Sequence, residues 1–566
     1  MASSLLNGER AVVALFISRT LYTTPLDLLS EGLFLSLLSL FALFLEIFAE
    51  SSSSFSQFKT RPGASSGILL GAITLPNVMI SRLIQRSRAV SLNDIDVGDL
   101  EHLRIQYWTV TACCFSMLLF IAFSLRKVPQ NQHSISSRGV WGVQFGLSWL
   151  SLYAATYCVF FAVKLHNDSA VCSELLWVLF QGLAAQKLLQ HVLSTFPFCA
   201  SIGEALLVSA GITIYSGDMV ALTLAKINVP HLSTGFVFVG NGILRSEISI
   251  IIQGILLGLL LFPAFFKLLI KVWYQFRSLE NPDERACHEI EKSAIFFTSL
   301  AFILIVIVPS WMQIVKDFDV HPFLWVIGFI FSEPHKILPL FMYWVAVTCI
   351  SVVRFYKISK KGTTERILLR KYYHLMAVAM FLPALIFQPK FLDLAFGAAL
   401  ALFLLLEIIR VWRIWPLGQL VHQFMNAFTD HRDSDVLIIS HFSLLLGCAL
   451  PIWMSSGFND RPLAPFAGIL SLGIGDTMAS MIGYKYGVLR WSKTGKKTIE
   501  GTAAGITSVL AACSVLIPLL ATTGYIFTQQ WCSLILAVII SGLLEAYTAQ
   551  LDNAFIPLVF YSLLCL

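Results

Sequence analysis

Apolar stretches of about 20 residues alternate with short polar connections along most of the chain. A helix that crosses a membrane needs about this length, because the hydrocarbon layer is roughly 30 Å thick and each residue rises about 1.5 Å. We therefore predict an all-α polytopic integral membrane protein with roughly 13 to 17 transmembrane helices. The spans are predicted near residues 29–49, 66–83, 105–125, 139–164, 173–195, 203–224, 249–272, 293–314, 323–353 (one helix or two), 372–388, 391–410, 437–455, 462–482, 500–521, 527–545 and 553–566.

The composition supports this class and argues against others. Of the 566 residues 57% are hydrophobic and 13% charged, whereas soluble domains carry about 25% charged residues. A β-barrel would show alternation over about 10 residues instead of continuous apolar runs. The net charge of +6 is small, and basic residues of membrane proteins mostly mark cytoplasmic loops, so no nucleic-acid partner is expected. The eleven cysteines form no CxxC pair, and the N-terminus lacks the layout of a cleaved signal peptide.

Basic residues are concentrated in three connections of the C-terminal third, at 354–371, 410–435 and 483–499. A helical hairpin separates each connection from the next, so all three are expected on one side of the membrane. The positive-inside rule assigns that side to the cytosol, and two further spans bring the polar segment 545–553 to it. We predict an N-terminal multi-span region, 1–353, that could form a groove for a lipid tail, and a catalytic membrane region, 354–566.

The segment 473–502, GIGDTMASMIGYKYGVLRWSKTGKKTIEGT, combines a lone acid with glycines and a lysine cluster. A carboxylate such as Asp476 near the end of a membrane helix is costly without a partner and commonly marks function. Lysines suit phosphate oxygens, Gly495 lets the backbone approach them, and Asp476 suits Mg²⁺. The small residues also recur every three or four positions, which predicts tight helix packing. The segment is not a Walker A loop, because Arg490 and Lys497 replace residues that this loop requires.

Two further polar motifs lie upstream of this segment. In RKYYH, Arg370 and His374 are four residues apart and share a helix face, although the motif also suits interfacial anchoring. Glu407 and Arg410 are three residues apart, and a structural ion pair is at least as good an interpretation as catalysis.

Three more candidates could contribute an acid or a base. Asp435 precedes His441, which is equally well interpreted as a hydrogen-bonded core residue. Glu545 and Asp552 would lie about 10 Å apart along a continuous helix, too far for one metal ion to bridge them alone. Either could complete a site with Asp476, and Asp552 could instead cap a helix.

The order RKYYH, EIIR, DSDVLIISHFSLLLGCALPIW, GIGDTMASMIGYKYGVLRW, GKKTIEGT and EAYTAQLDN resembles the polyprenol kinase family. The resemblance covers about residues 370–557. It implies a multi-pass enzyme of the endoplasmic reticulum membrane that phosphorylates a polyprenol such as dolichol with CTP, in support of protein glycosylation. It also implies a requirement for a divalent cation, for which Mg²⁺ is our prediction, and it identifies 473–502 as the CTP-binding segment.

We predict in-line transfer of the γ-phosphate of CTP to the lipid hydroxyl, with the active site facing the cytosol. The predicted catalytic residues are Asp476, Lys496, Lys497, His441, Asp435 and Asp552, the last three being alternatives for the base. Nucleotide binding is predicted for Gly473, Gly475, Gly483, Arg490, Gly495, Thr498, Glu500, Gly501, Thr502, Arg370, Lys371 and His374. The metal ligands are predicted to be Asp476 and Glu545.

Three other functions are compatible with the sequence. A phytol or other prenol kinase shares the RKxxH, GD and KKT elements, and a CTP-dependent cytidylyltransferase would attack the α-phosphorus. A transporter would explain Glu204, Asp218 and Glu407 within apolar spans, although no inverted repeat supports it. The expected partners are the lipid alcohol, CTP and the bilayer, and no oligomeric state is predicted.

Overall fold

A computed structural model of the chain describes its helices and several of the connections between them. The described residues are 7–51, 65–91, 97–127, 147–165, 170–196, 200–227, 245–277, 285–361, 366–426, 438–456, 460–491, 497–522 and 530–566.

The described ranges contain twenty α-helices. They are α1 Gly8–Thr23, α2 Leu29–Ser51, α3 Ile68–Ser91, α4 Val97–Lys127, α5 Leu147–Leu165, α6 Ala170–Thr195, α7 Ile202–Ile227, α8 Glu247–Arg277, α9 Arg285–Phe302, α10 Val308–Val315, α11 Pro322–Ser332, α12 Pro334–Lys361, α13 Arg366–Phe387, α14 Pro389–Trp412, α15 Gly418–Asn426, α16 Ile439–Met454, α17 Thr477–Tyr486, α18 Ile499–Thr522, α19 Trp531–Tyr547 and α20 Asp552–Cys565.

The all-α polytopic class is confirmed. In the described ranges, nine helices are long and apolar enough to cross a membrane, and six shorter helices are also apolar. The predicted number of 13 to 17 spans stays a prediction. The predicted span at 323–353 forms two helices, α11 and α12, which meet at Glu333.

The predicted span at 462–482 is broken into three elements. It contains a 3₁₀ turn, Ala464–Phe466, then a π-helix, Ile469–Asp476, and finally α17. A π-helix widens the turn because its hydrogen bonds run from residue i to i+5, and such turns are frequent at functional sites. The widened turn ends at Asp476, the acid that the sequence had marked.

Most buried apolar side chains of the described residues form one core that extends from Val12 in α1 to Leu566, and Ile105, Trp177 and Ala221 form a small second cluster. The C-terminal helix α20 packs against α3 as well as against α16 and α19. In the same interface the hydroxyls of Ser81 and Ser562 are 2.6 Å apart. The regions 1–353 and 354–566 therefore pack closely together, and the roles assigned to them remain predictions.

A buried polar network joins the N-terminal half to the turn between α19 and α20. Glu204, at the start of α7, accepts hydrogen bonds from the main-chain N–H groups of Leu551 and Ser201, both at 2.8 Å. Gln550 accepts from the Ser201 hydroxyl and donates to the carbonyl of Ser65 at 3.1 Å.

Helix α1, which the sequence did not predict, completes this network. Its Glu9 accepts a hydrogen bond from the Ser65 hydroxyl at 3.0 Å and another from the main chain of Ala549. Arg10 donates to Glu46 at 2.7 Å and to Glu50 at 2.6 Å. We call this network the turn clamp, and its members are Glu9, Arg10, Glu46, Glu50, Ser65, Ser201, Glu204 and Gln550.

Candidate active site

Asp476 is buried where α13 packs against the end of the π-helix, with 4% of its surface exposed. Its Oδ2 accepts a hydrogen bond from Nζ of Lys371 at 2.5 Å and lies 3.2 Å from Nδ1 of His374. His374 also contacts the carbonyl of Leu472 at 3.1 Å. Ser480, one turn further along, donates to Oδ1 at 3.4 Å. The acid therefore has an ammonium partner, as its burial requires, but that partner is Lys371 and not a downstream lysine.

Lys497 lies directly before α18 and reaches the opposite side of the same site. Its Nζ donates to Oδ2 of Asp552 at 3.2 Å and to the main-chain carbonyl of Glu545. Lys497 can contact both residues because the chain turns between the end of α19 at Tyr547 and the start of α20 at Asp552. A continuous helix would have held Glu545 and Asp552 about 10 Å apart along its axis.

The charged side chains on the two sides of the site interact electrostatically. The carboxylates of Asp552, Glu545 and Asp476 all act on Lys497. Burial lowers the pKa of Lys497, but these three carboxylates outweigh burial and raise the pKa above its ordinary value of 10.5, so the ammonium group is charged at physiological pH. Glu545 in turn lies within electrostatic reach of Asp476, Lys497, Asp552 and Lys371. We call these residues the lysine–carboxylate cluster: Lys371, His374, Asp476, Lys497, Glu545 and Asp552.

Several residues predicted to bind nucleotide build the hairpin that leads to Lys497. Arg490 and Thr498 pair as an antiparallel bridge, and Glu500 accepts from the main-chain N–H of Leu489 at 3.0 Å. The Thr498 hydroxyl accepts from the N–H of Gly501 at 3.2 Å, which caps α18. Thr502 accepts from the indole N–H of Trp491 at 2.9 Å. These contacts fix the approach of the chain to Lys497, and the exposed Arg490 is open to solvent.

The glycines of this region pack helices together, as the small-residue pattern predicted. A Cβ on Gly501 would lie 2.6 Å from the carbonyl of Ala479, and one on Gly483 would lie 2.9 Å from the Thr498 hydroxyl. One on Gly475 would lie 3.1 Å from Val509, and one on Gly473 would overlap Val378. Close contact between α17 and α18 accounts for Gly483 and Gly501, and packing of the π-helix against α13 and α18 accounts for Gly473 and Gly475. Their role in CTP binding stays a prediction.

Five predicted site residues have no side-chain geometry. Asp435, Gly495 and Lys496 lie outside the described residues, while Arg370 and His441 lie on α13 and α16 without a described side chain.

The acids that had suggested a transporter are each paired. Glu204 accepts two main-chain hydrogen bonds in the turn clamp. Asp218 is 2.5 Å from Arg245. Glu407 binds Arg410 at 2.7 Å and accepts from the main-chain N–H of Ile438 at 2.9 Å. These pairings explain their burial without an ion pathway.

The donor set of the cluster suits a divalent cation that is held partly by substrate. In the part of the chain that the structure describes, no three His, Cys, Asp or Glu side chains are grouped to hold a metal ion by themselves. Mg²⁺ is commonly bound by one or two carboxylates together with phosphate oxygens. Oδ1 of Asp552 is buried and has no hydrogen-bond partner among the described residues, so it could take such a role. The prediction that Asp476 and Glu545 bind the metal remains untested.

The sequence missed two features of the site. Lys371 was predicted to contact nucleotide, yet it pairs with Asp476 across 105 residues of chain. The turn clamp was also missed, although Glu204 is the one acid of the apolar segment Phe196–Ser209, which could have drawn attention to it.

Comparison with known proteins identifies the family. The family model described as dolichol kinase matches residues 159–451. The dolichol kinase EVAN of Arabidopsis thaliana is 58% identical over 566 residues, which is 100% of this chain and 99% of that protein. The Homo sapiens dolichol kinase is 32% identical over 391 residues, which is 66% of each chain. The dolichol kinase Sec59 of Schizosaccharomyces pombe is 33% identical over 293 residues, which is 49% of this chain and 57% of that protein. No solved structure matches the chain. The chain belongs to the dolichol kinase family.

Proposed function

We propose that this protein is an enzyme that transfers the γ-phosphate of CTP to the hydroxyl of dolichol, giving dolichyl phosphate and CDP. One observation supports this above the others: two lysines and three acids from distant segments meet in one partly buried cluster at the ends of apolar helices. The Arabidopsis thaliana relative named dolichol kinase EVAN matches the whole chain, so the match spans every segment that contributes to this cluster.

The cluster provides the charges that phosphoryl transfer requires. Such a transfer needs little covalent chemistry from the protein, because positioning and charge neutralisation supply most of the acceleration. Lys497 would contact the transferred phosphoryl group, and its ammonium group is charged throughout the physiological pH range. Lys371 holds Asp476 in place, and His374 fixes the same carboxylate from the other side.

A bound divalent cation would neutralise part of the triphosphate charge. Asp476 and Asp552 are the residues of this chain best placed to hold it, since Oδ1 of Asp552 has no donor among the described residues. Glu545 is also predicted as a ligand, and it lies within electrostatic reach of Asp476, Lys497 and Asp552.

The expected membrane location of the enzyme follows from the solubility of its two substrates. A long isoprenoid tail is insoluble in water and would stay in the bilayer, so only its hydroxyl needs to reach the polar cluster. We infer an endoplasmic reticulum membrane enzyme whose active site faces the cytosol, where the basic connections of the C-terminal third are expected and where CTP is available. Its product would supply the lipid carrier for protein glycosylation.

The test is a phosphorylation assay on membranes that contain the expressed protein. CTP labelled at the γ-phosphate should transfer label to dolichol, and ATP should not replace it. CTP labelled at the α-phosphate should leave the lipid unlabelled, whereas labelled lipid with release of pyrophosphate would identify a cytidylyltransferase. No transfer from either nucleotide would contradict the proposal.

A further inference from the structure

Lys497 lies in the second half of the hairpin that precedes α18, of which the structure describes residues 487–491 and 497–499. The ammonium group of a lysine sits on a flexible four-carbon stem, so its position depends on how firmly the main chain is held. A two-stranded hairpin by itself is only marginally stable in water. Contacts between this hairpin and the rest of the protein must therefore hold the main chain of Lys497.

Trp491 is the large side chain of this hairpin that packs inwards. Val488 and Leu489 are 81% and 59% exposed, whereas Trp491 is half-buried. The centre of its ring lies 5.1 Å from that of Tyr547, and the two rings are inclined by 56°. An aromatic pair at this separation is stabilised beyond the burial of its surface. The ring contact therefore anchors the hairpin to α19.

The two N–H groups of Trp491 form further contacts. The indole N–H donates to the hydroxyl of Thr502 on α18 at 2.9 Å. The main-chain N–H donates to the carbonyl of Lys497 at 3.2 Å. One residue thus joins the main chain of Lys497 to α18 and, through its ring, to the end of α19.

The end of α19 also holds the other end of Lys497. Tyr547 is the last residue of α19, two residues beyond Glu545, whose main-chain carbonyl accepts a hydrogen bond from Nζ of Lys497. The Tyr547 ring has little room to shift, because a Cβ on Gly8 at the start of α1 would overlap it. Trp491 therefore sets the distance between the main chain of Lys497 and the groups that bind its ammonium group.

We propose that Trp491 is a positioning residue, which holds the ammonium group of Lys497 where the phosphoryl group is transferred. It touches neither substrate and acts through Lys497. The inference rests on the proposed function for its effect on the rate, whereas the placement of Lys497 is measurable without any phosphoryl transfer.

The first measurement is the rate of phosphoryl transfer in Trp491→Ala. The rate should fall about tenfold or more, because a misplacement of about 1 Å at a reacting centre costs up to about 10²-fold. Trp531→Ala is the matched control and should leave the rate unchanged. Trp531 is a partly exposed tryptophan at the opposite end of the 17-residue helix α19, about 24 Å from Tyr547 along the axis.

The same change in a Lys497→Met background separates positioning from a general effect on the fold. In that background Trp491→Ala should alter the rate by less than about twofold, because the ammonium group that it positions is already absent. A loss of about tenfold in both backgrounds would overturn the proposal, since the two residues would then act independently.

The second measurement does not depend on activity. Reductive methylation of the protein in detergent, followed by peptide mass spectrometry, compares Lys497 with Lys485, an exposed lysine of α17. Lys497 should react slowly in the wild type, where it is paired with Asp552, and several times faster in Trp491→Ala. Trp491→Phe keeps a ring against Tyr547 and loses the indole N–H, so its labelling should be intermediate. This variant keeps the test available if Trp491→Ala does not fold.

Equal labelling of Lys497 in the wild type and in a folded Trp491 variant would overturn the positioning role. A wild type that phosphorylates no alcohol, although the labelling changes as expected, would contradict the proposed function alone. The two failures are therefore distinguishable.

Discussion

Two polar networks lie side by side in this protein, and they differ in how well their acids are satisfied. In the turn clamp, both oxygens of Glu46 have a donor, from Arg10 and from the main chain of Leu69. Both oxygens of Glu204 also have one. In the lysine–carboxylate cluster, one oxygen of Asp552 is buried without a donor among the described residues.

This difference indicates that the turn clamp stabilises the fold, whereas the lysine–carboxylate cluster can bind a ligand. A buried acid whose oxygens each have a hydrogen-bond donor from their own protein is stable as it stands and does not need a ligand. An acid with an unused oxygen is costly until a ligand arrives, which is typical of functional sites. The clamp is also directly connected to the cluster, because Glu204 holds Leu551 and the next residue is Asp552. The N-terminal half therefore positions a residue of the candidate active site.

The largest effect is expected from Asp476→Asn. The substitution keeps the size of the side chain but removes the charge that Lys371 faces, so phosphorylation of dolichol should fall by about 10²–10³. The measurement is transfer of the γ-phosphate from CTP at equal amounts of folded protein. Activity at the wild-type level would rule out the role assigned to Asp476.

A second large effect is expected from Lys497→Met, which keeps the apolar stem and removes the ammonium group. The rate of transfer should fall by about 10² because the phosphoryl group loses its nearest cation. Since the carboxylates raise the pKa of Lys497 above 10.5, deprotonation of this residue should not limit the activity of the wild type below that pH. Wild-type activity in Lys497→Met would contradict this role, whereas a loss of wild-type activity below pH 10.5 that is absent from Lys497→Met would contradict the raised pKa of Lys497.

A smaller and different effect is expected from Glu204→Gln. The amide retains one acceptor and brings its NH₂ group against a main-chain N–H, which should lower the free energy of unfolding by about 1–3 kcal/mol. The turn before Asp552 should loosen, so the rate should fall by severalfold while KM for CTP changes little. Thermal unfolding in detergent and initial rates measure the two effects. Glu333→Gln, at a half-exposed acid that contacts Lys336 and Gln388, is the control and should alter neither.

The smallest effect is a change in pH dependence in Glu9→Gln. Burial, with a contribution from Glu46, raises the pKa of Glu9 from 4.5 to about 8. Between these values the folded protein keeps a proton that the unfolded chain releases, so Glu9 makes stability fall as the pH rises through this interval. The variant should show a shallower fall in Tm between pH 5 and pH 8. An equal slope in variant and wild type would show that Glu9 is ionised in the fold.

The prediction of the site from the sequence was correct in part. Asp476 and Lys497 were identified because an acid and lysines stand out in an apolar chain, and the structure brings them into one cluster. The glycines were interpreted both as packing and as nucleotide-binding residues, and the contacts of Gly501 and Gly483 support packing. The pairing of Lys371 with Asp476 could not be predicted, because it depends on how α13 lies against the π-helix.

Hydrophobic patterning alone determined the membrane class, the approximate positions of the helices and the residues that stand out as chemically unusual. These properties are local, since a run of apolar residues needs only its own length to specify a span. The tertiary structure decided which charges meet: Lys371 with Asp476 across 105 residues, Lys497 with Asp552 across 55, and Glu204 with Leu551 across 347. Such contacts depend on the packing of helices that are distant in the chain, and no local sequence pattern predicts that packing.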